Sequence, residues 1–536
     1  MNFLSEPLKG GTLFTDPTFT ELNPGRVSAL ERTLIRLAIP LTVLGLVVYL
    51  AGYAPFVLTW PPVSSDEGRE LNAFWVASGI DPNATLLDPF YGRDPLYKGG
   101  LQGLSVGMVL QVFGLNLSAA RLVSSVWGAL LLVAMLLAGR RLFGIGAAVV
   151  ATALLAASHP FLFSAHFIRP DIVVAALLMG ALYFALSPTG SVAAHVIAGL
   201  LLGFALDVHP YTVALIPVVA LAYLFSSNAA SRRAGIWCAV GLGIGAAIYL
   251  LGRVVPNPQT FASSLGFWVG MEHRPPVLDG FGLETLRNEW RRFVEFWAER
   301  PLGLAIPLDG PLGDQPRVTV EMLALLGGFG WALWRAGRGS RPHLIVATGV
   351  AAVFVGFSLI VSSKVPYYLV LYYAPLCLLL GAAISDFVRR APGRVWLGGA
   401  VTAVFALFAF GLLSDARDLY YRYRTTEHDF PLLQHTLDRA VPADAVVMGK
   451  PIYWLALSNR RFVDIAVADR LRRERSLSLA DAVRESGATV ILIDTDTRQA
   501  MPSRDRVWMN DHFQTREVIE QDYYGSIDVR FLGERD

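Results

Sequence analysis

The sequence predicts an all-α polytopic membrane domain followed by a small C-terminal α/β soluble domain. Three observations predict it. Hydrophobic residues make up 54% of the chain, charged residues only 16%, and the mean hydropathy is +0.47. A soluble domain carries charge on about a quarter of its residues. The apolar residues lie in runs of about twenty, long enough to cross a bilayer core as helices, because in lipid each segment must satisfy its own backbone. From residue 415 onward about a third of the residues are charged, against about an eighth before it, a shift that marks a soluble domain.

Residues 1–35 are polar, with Asp16, Glu21 and Glu31, and lack the charged, apolar and cleavage regions of a signal peptide. They are expected to be retained on the cytoplasmic side. The transmembrane domain is expected over 36–414. Its spans fall at 36–60, 119–139, 144–165, 170–187, 191–207, 209–226, 234–254, 318–335, 343–361, 366–384 and 395–413, about eleven helices by the ~20-residue criterion. The run 101–116 is short and Gly-rich, with Gln102 and Gln111 inside it. If it does not cross, Arg140-Arg141, Arg232-Arg233, Arg335/Arg338/Arg341 and Arg389/Arg390/Arg394 all share the side of Lys9, Arg26, Arg32 and Arg36. The positive-inside rule therefore makes 101–116 an interfacial helix.

This orientation puts the loops at 61–118 and 255–317, the short connections at 166–169 and 362–365, and the domain 415–536 outside. In 415–536, apolar runs at Ala445–Met448, Thr489–Ile493 and Ile527–Leu532 alternate with helical patterns such as Leu477–Ser486. No Gly-rich phosphate loop is present there, so no cofactor is assigned to that domain. The net charge of +2 argues against a nucleic-acid partner. Cys238 and Cys377 lie in apolar runs and read as core residues.

The spans are nearly free of charge at mid-depth, unlike those of ion-coupled transporters. Polar residues gather at the outer ends instead. The first loop opens Ser64-Ser65-Asp66-Glu67-Gly68-Arg69-Glu70. Ser64 and Glu67 have capping-box spacing, and the same stretch offers a carboxylate as general base with an arginine beside it. The chain has four lysines, and two stand in outer loops: Lys98, and Lys364 in Ser363-Lys364-Val365-Pro366-Tyr367-Tyr368. Lysines at helix ends snorkel, but a compact ammonium also suits a phosphate. His166-Phe167-Ile168-Arg169-Pro170-Asp171 puts Asp171 at the positive end of a helix. The long loop carries Trp268 and then Glu272-His273-Arg274, readable also as an aromatic anchor. Asp207 and His209 read as helix-end residues.

Taken in order, these motifs resemble the membrane-embedded glycosyltransferases of the GT-C fold that use polyprenyl-phosphate sugars. They are similar in pattern to the protein mannosyltransferases and the lipid A aminoarabinose transferase. The resemblance covers about 36–384 and rests on Asp66-Glu67-Gly68-Arg69, on Lys98 followed by an apolar helix and Ala120-Arg121, on Asp171, on Trp268–His273, and on Ser363–Tyr368. The aminoarabinose transferase pattern has a Glu before the lysine, paired with the long-loop His at a metal site. Tyr97 stands there here, and a divalent cation is left open. The β-trefoil module of many protein mannosyltransferases is absent.

The resemblance implies an inverting hexosyl or pentosyl transferase of the plasma (inner) membrane. Its donor would be a polyprenyl-phosphate sugar, and its acceptor a hydroxyl on a glycan, lipid or protein. Asp66 is the expected general base, with Glu67 beside it and Asp171 as a second acid or an orienting group. Lys98, Lys364 and Arg69, with Arg169, are the expected phosphate cations; Tyr367, Glu272 and His273 complete the substrate set. Two other classes share the same features: a flippase of lipid-linked sugars, which needs no base, and a membrane scaffold docking partners through 415–536.

Overall fold

The computed structural model describes residues 29–47, 100–187, 191–225, 229–256, 305–307, 317–361, 368–390, 395–426, 429–465, 478–521 and 524–533, with isolated positions between them, including 63, 66–68, 70 and 71. The membrane part comprises α1 (Ala29–Val47), α2 (Gly100–Phe113), α3 (Leu117–Phe143), α4 (Ile145–Ala156), α5 (His159–Ala165), α6 (Pro170–Ala185), α7 (Val192–Val208), α8 (Ile216–Leu224), α9 (Ala229–Tyr249), α10 (Val320–Gly337), α11 (Arg341–Ile360), α12 (Leu369–Arg390) and α13 (Val395–Thr426). Every expected span contains a helix. Among the described residues five stretches are long and apolar enough to cross a membrane: Leu117–Phe143, Arg233–Gly252, Arg341–Ile360, Leu369–Arg390 and Val395–Leu413.

The span expected at 144–165 is not one straight helix. α4 and α5 meet at a bend of 66°. Pro160 stands in the first turn of α5, where its missing N–H needs no partner, and Ser158 before it is extended and breaks the run from α4. α2 has 14 residues, about 21 Å of rise, too short for a hydrocarbon core of about 30 Å. It packs on α3 and α7.

α3 shows how the bundle meets lipid. Leu122, Val126, Leu130 and Val133 form an exposed stripe at helical spacing, while Ser124, Gly128, Leu131 and Met135 face inward. α12 lies at the centre, enclosed from Val370 to Ser385 and charged only in its last turns. α7 and α9 make the most intimate pair. Gly199 and Gly203 of α7 face Gly241 and Gly245 of α9. A Cβ on Gly199 would stand 1.9 Å from the Cys238 carbonyl oxygen, so only glycine allows this approach.

The C-terminal part begins with α14 (Asp429–Ala440). A short hairpin lies earlier in the chain, with β1 (Ala305–Pro307) and β2 (Arg317–Thr319) antiparallel. The C-terminal sheet comprises β3 (Val446–Gly449), β4 (Arg461–Asp464), β5 (Val490–Asp494), β6 (Phe513–Gln521) and β7 (Gly525–Leu532), in the order β4-β3-β5-β7-β6. β3 runs parallel to β4 and β5, and β7 antiparallel to β5 and β6. The helices α15 (Pro451–Ala456), α16 (Leu479–Ser486), α17 (Thr495–Ala500) and α18 (Ser503–His512) connect them. β5, buried along its whole length, is the apolar run expected of a central strand. The domain is α/β as expected. The domain boundary expected at 414/415 falls inside α13, a continuous helix of 32 residues: its apolar part ends at Leu413, and a polar stretch carries it on to Thr426.

The two parts share one core. Val63, Leu71, Val106, Leu110, Ala120 and Ile168 of the membrane part cluster with Phe430, Leu433, Trp454 and Phe462 of the C-terminal part. The C-terminal domain is thus packed onto the end of the bundle that carries Asp66.

Candidate active site

The site grows from one helical turn, 66–68, and from the connection before α6. Glu67 points inward. Its carboxylate accepts from Arg121 Nε at 2.9 Å and Arg121 Nη2 at 2.5 Å, and from the Ile168 backbone N–H at 3.1 Å. Both Glu67 and Arg121 are fully buried. A charge pair taken wholly out of water needs this bidentate geometry and the third bond to offset its desolvation. Glu67 therefore staples the first loop to α3 and to the connection before α6. This placement fixes the turn that carries Asp66.

Asp66, one residue earlier, points the other way and keeps about 40% of its side chain exposed. Arg169 Nη1 donates to Asp66 Oδ2, and Arg169 Nε donates to Asp171 Oδ2 at 3.0 Å. Asp171 stands in the first turn of α6 after Pro170. Its other oxygen accepts from Tyr211 Oη at 2.7 Å. Tyr211 belongs to a short 3-10 turn, Pro210–Ala214, between α7 and α8. His209 stacks on its ring at 4.0 Å, and the Tyr368 ring lies edge-on at 5.4 Å. The Arg169 guanidinium lies 5.9 Å from the Tyr368 ring centroid. Burial alone would lower the Arg169 pKa, but the Asp171 and Asp66 carboxylates outweigh it and hold it above an ordinary arginine's. The guanidinium stays charged and links a half-exposed acid to a buried one.

His166 completes the connection. Its Nδ1 lies 2.6 Å from the Leu162 carbonyl oxygen. Burial pushes its pKa down to about 4; the Leu162 carbonyl opposes this and the Arg121 charge adds to it. At neutral pH it is uncharged.

The structure brings Asp66, Glu67, Arg169 and Asp171 together, as the sequence placed them on one face. Sequence reasoning missed the Arg121 pairing, Tyr211 and the part played by His209. Asp207 does end α7, and its carboxylate rests against Gly100 at the start of α2. Arg69, Lys98, Lys364, Tyr367, Glu272 and His273 lie outside the described residues. Among the described residues no three His, Cys, Asp or Glu side chains converge as metal ligands. Arg169 stands between Asp66 and Asp171 and bonds both.

Comparison with known proteins gives the architecture. Residues 104–253 match the family model of dolichyl-phosphate-mannose-protein mannosyltransferases. The structure is similar to that of ArnT from Cupriavidus metallidurans bound to undecaprenyl phosphate, with TM-score 0.62 and 18% identity over 92% of this chain and 97% of that one. It is also similar to apo ArnT from the same organism, with TM-score 0.56 and 19% identity over the same shares. The chain has the GT-C fold. The oligosaccharyltransferase of Archaeoglobus fulgidus, in complex with Zn and sulfate, has the same architecture at 14% identity, with TM-score 0.55 over 92% of this chain and 72% of that one. No curated protein sequence matches the chain. The GT-C likeness accounts for the helical membrane domain with its small C-terminal sheet domain, and the matched segment begins in α2 and holds α3 to α9.

Proposed function

We propose that the chain is a membrane glycosyltransferase that moves a sugar from a polyprenyl-phosphate donor to a hydroxyl acceptor at the Asp66 end of the bundle, which the arginine distribution reads as extracytoplasmic. The single observation that carries this is the half-exposed Asp66 carboxylate held by Arg169 against buried Asp171, on a loop stapled by Glu67 and Arg121. Asp66 takes the proton of the acceptor hydroxyl. That oxygen forms a bond to the anomeric carbon as the bond from this carbon to the phosphate oxygen breaks. Attack from the opposite side inverts the centre, and polyprenyl phosphate leaves as an anion. Lys98, Lys364 and Arg69 neutralise that anion, the position where fixed cations contribute most to rate. Arg169 and Tyr211 orient the two acids.

A flippase would use the same cations but would transfer nothing. Incubating the purified protein in detergent with a panel of sugar-labelled polyprenyl phosphates and a membrane lipid and glycan extract separates the two. Transfer of label with release of free polyprenyl phosphate is expected. Intact donor throughout, in a preparation that binds it, sinks the enzyme reading. Lys98→Ala and Lys364→Ala should each weaken binding of polyprenyl phosphate itself, and unchanged binding in both would mean that the lysines only anchor helix ends.

A further inference from the structure

The end of the bundle away from Asp66 carries a second built surface. α10, α12 and α13 enclose a groove of about 680 Å³ with an almost wholly apolar lining. Gly327, Gly330, Trp331, Trp334, Trp396 and Val404 define it. α10 has three glycines here, and they do different things. A Cβ on Gly328 would meet the Leu380 backbone at 2.8 Å, so this glycine lets α10 touch α12. Among the described residues nothing lies within 4 Å of where a Cβ on Gly327 or Gly330 would stand. Glycine is a poor helix former, and helix contact does not explain these two. What they leave is an open channel floor.

The mouth of the channel is basic. Among the described residues from 335 to 390 there are five arginines (335, 338, 341, 389 and 390) and one carboxylate, Asp386. Arg335 Nε takes that carboxylate at 3.1 Å, and Arg390 reaches it only at 3.9 Å. Arg338 is exposed, 4.2 Å from the Trp334 ring centroid, and Arg390 lies 5.6 Å from that of Trp331. Trp396 is exposed at the start of α13. Tryptophan and arginine at the end of an apolar channel mark the level of lipid headgroups. α12 runs from beside Tyr368 to Arg390, 22 residues or about 33 Å, so the groove mouth lies far from the acidic site.

We infer that this groove holds an anionic glycerophospholipid, with its phosphate on Arg338 and Arg390 and one acyl chain along Gly327 and Gly330. Basic pockets between transmembrane helices at the cytoplasmic surface take anionic headgroups, and the excess of arginine assigns this end to that surface. The glycines accept the chain, and the tryptophans flank the glycerol level. The lipid is a resident of α10, α12 and α13, separate from any donor bound near Asp66.

The test is quantitative mass spectrometry of lipids kept by the purified protein after extensive detergent washing, then after re-addition of phosphatidylglycerol, phosphatidylcholine or a polyprenyl phosphate. The wild type is expected to keep and rebind phosphatidylglycerol in preference to the other two. Arg338→Ala/Arg390→Ala should rebind it roughly thirtyfold more weakly, the factor for two arginine–headgroup attractions. Gly327→Leu/Gly330→Leu, whose Cβ atoms meet no described residue within 4 Å, should lose the lipid while remaining monodisperse. Phosphatidylglycerol rebinding equal to wild type in both double variants overturns the assignment. So does a wild type that keeps no anionic glycerophospholipid or prefers polyprenyl phosphate.

Discussion

Glu67 and Arg121 cannot be removed singly, because each would leave a buried charge without its counter-charge. Glu67→Ala or Arg121→Ala should cost about 3–5 kcal/mol of stability, read as a lowered melting temperature in detergent, whereas Asp66→Asn should leave melting near wild type. His166 makes a prediction about pH. Its folded pKa of about 4 lies below the ordinary 6.5, so between these values the unfolded chain binds a proton that the folded one does not. Stability should therefore fall as pH drops from about 6.5 to about 4, and His166→Gln should flatten that limb. Asp494 adds to the loss at lower pH. Burial would raise its pKa, but Lys450 Nζ at 2.6 Å and the Thr497 N–H at 2.7 Å hold it below the usual carboxylate range. Protonation at acid pH removes that gain. At this scale Asp66, Arg169 and Asp171 were legible, since charged residues at span ends are rare enough to name. The pairing of Glu67 with Arg121 was not, because 54 residues separate them and no local pattern encodes the contact. Tyr211 was hidden because an aromatic near a span end ordinarily anchors the interface.

Helices and strands were largely legible from apolar runs, and their bends and joints less so. Pro160 gave a signal for the 66° break between α4 and α5, but continuous hydrophobicity masked it. The Gly-x-x-x-Gly spacings at 199/203 and 241/245 were present in the sequence, but nothing there says that they face each other. Gly199→Leu should split α7 from α9 and yield aggregated protein on size exclusion. β4 and β6 were not anticipated: β4 has only Phe462 and Val463 between charged ends, and β6 exposes a charged face. Gly68 links two elements that sequence reading treated separately. A Cβ there would stand 2.5 Å from the Pro451 carbonyl oxygen, so the acidic turn sits directly on the start of α15. Gly68→Ala should push the turn off the C-terminal domain. The expected outcome is faster proteolysis between α13 and α14 together with reduced turnover at normal donor binding.

For the whole molecule, the common core changes what the C-terminal domain means. Sequence reading set it outside the membrane and allowed it as a docking module. The packing of Phe430, Leu433 and Trp454 onto Val106, Leu110 and Ile168 fixes it on the end of the membrane domain that carries Asp66. Removing residues 427–536 would expose that apolar surface beside the site, so loss of monodisperse protein is expected before any change in acceptor preference. The acidic turn lies between the helical bundle and the C-terminal domain, where the proposed function has a lipid-linked donor and a polar acceptor meet. The most direct test of this account is turnover of a polyprenyl-phosphate sugar by purified Asp66→Asn beside wild type, with lipid binding measured on the same samples. The account predicts turnover lowered roughly 10²–10⁴-fold with lipid binding retained, the loss expected for a missing general base. Near-normal turnover in a folded, lipid-binding Asp66→Asn variant would contradict it.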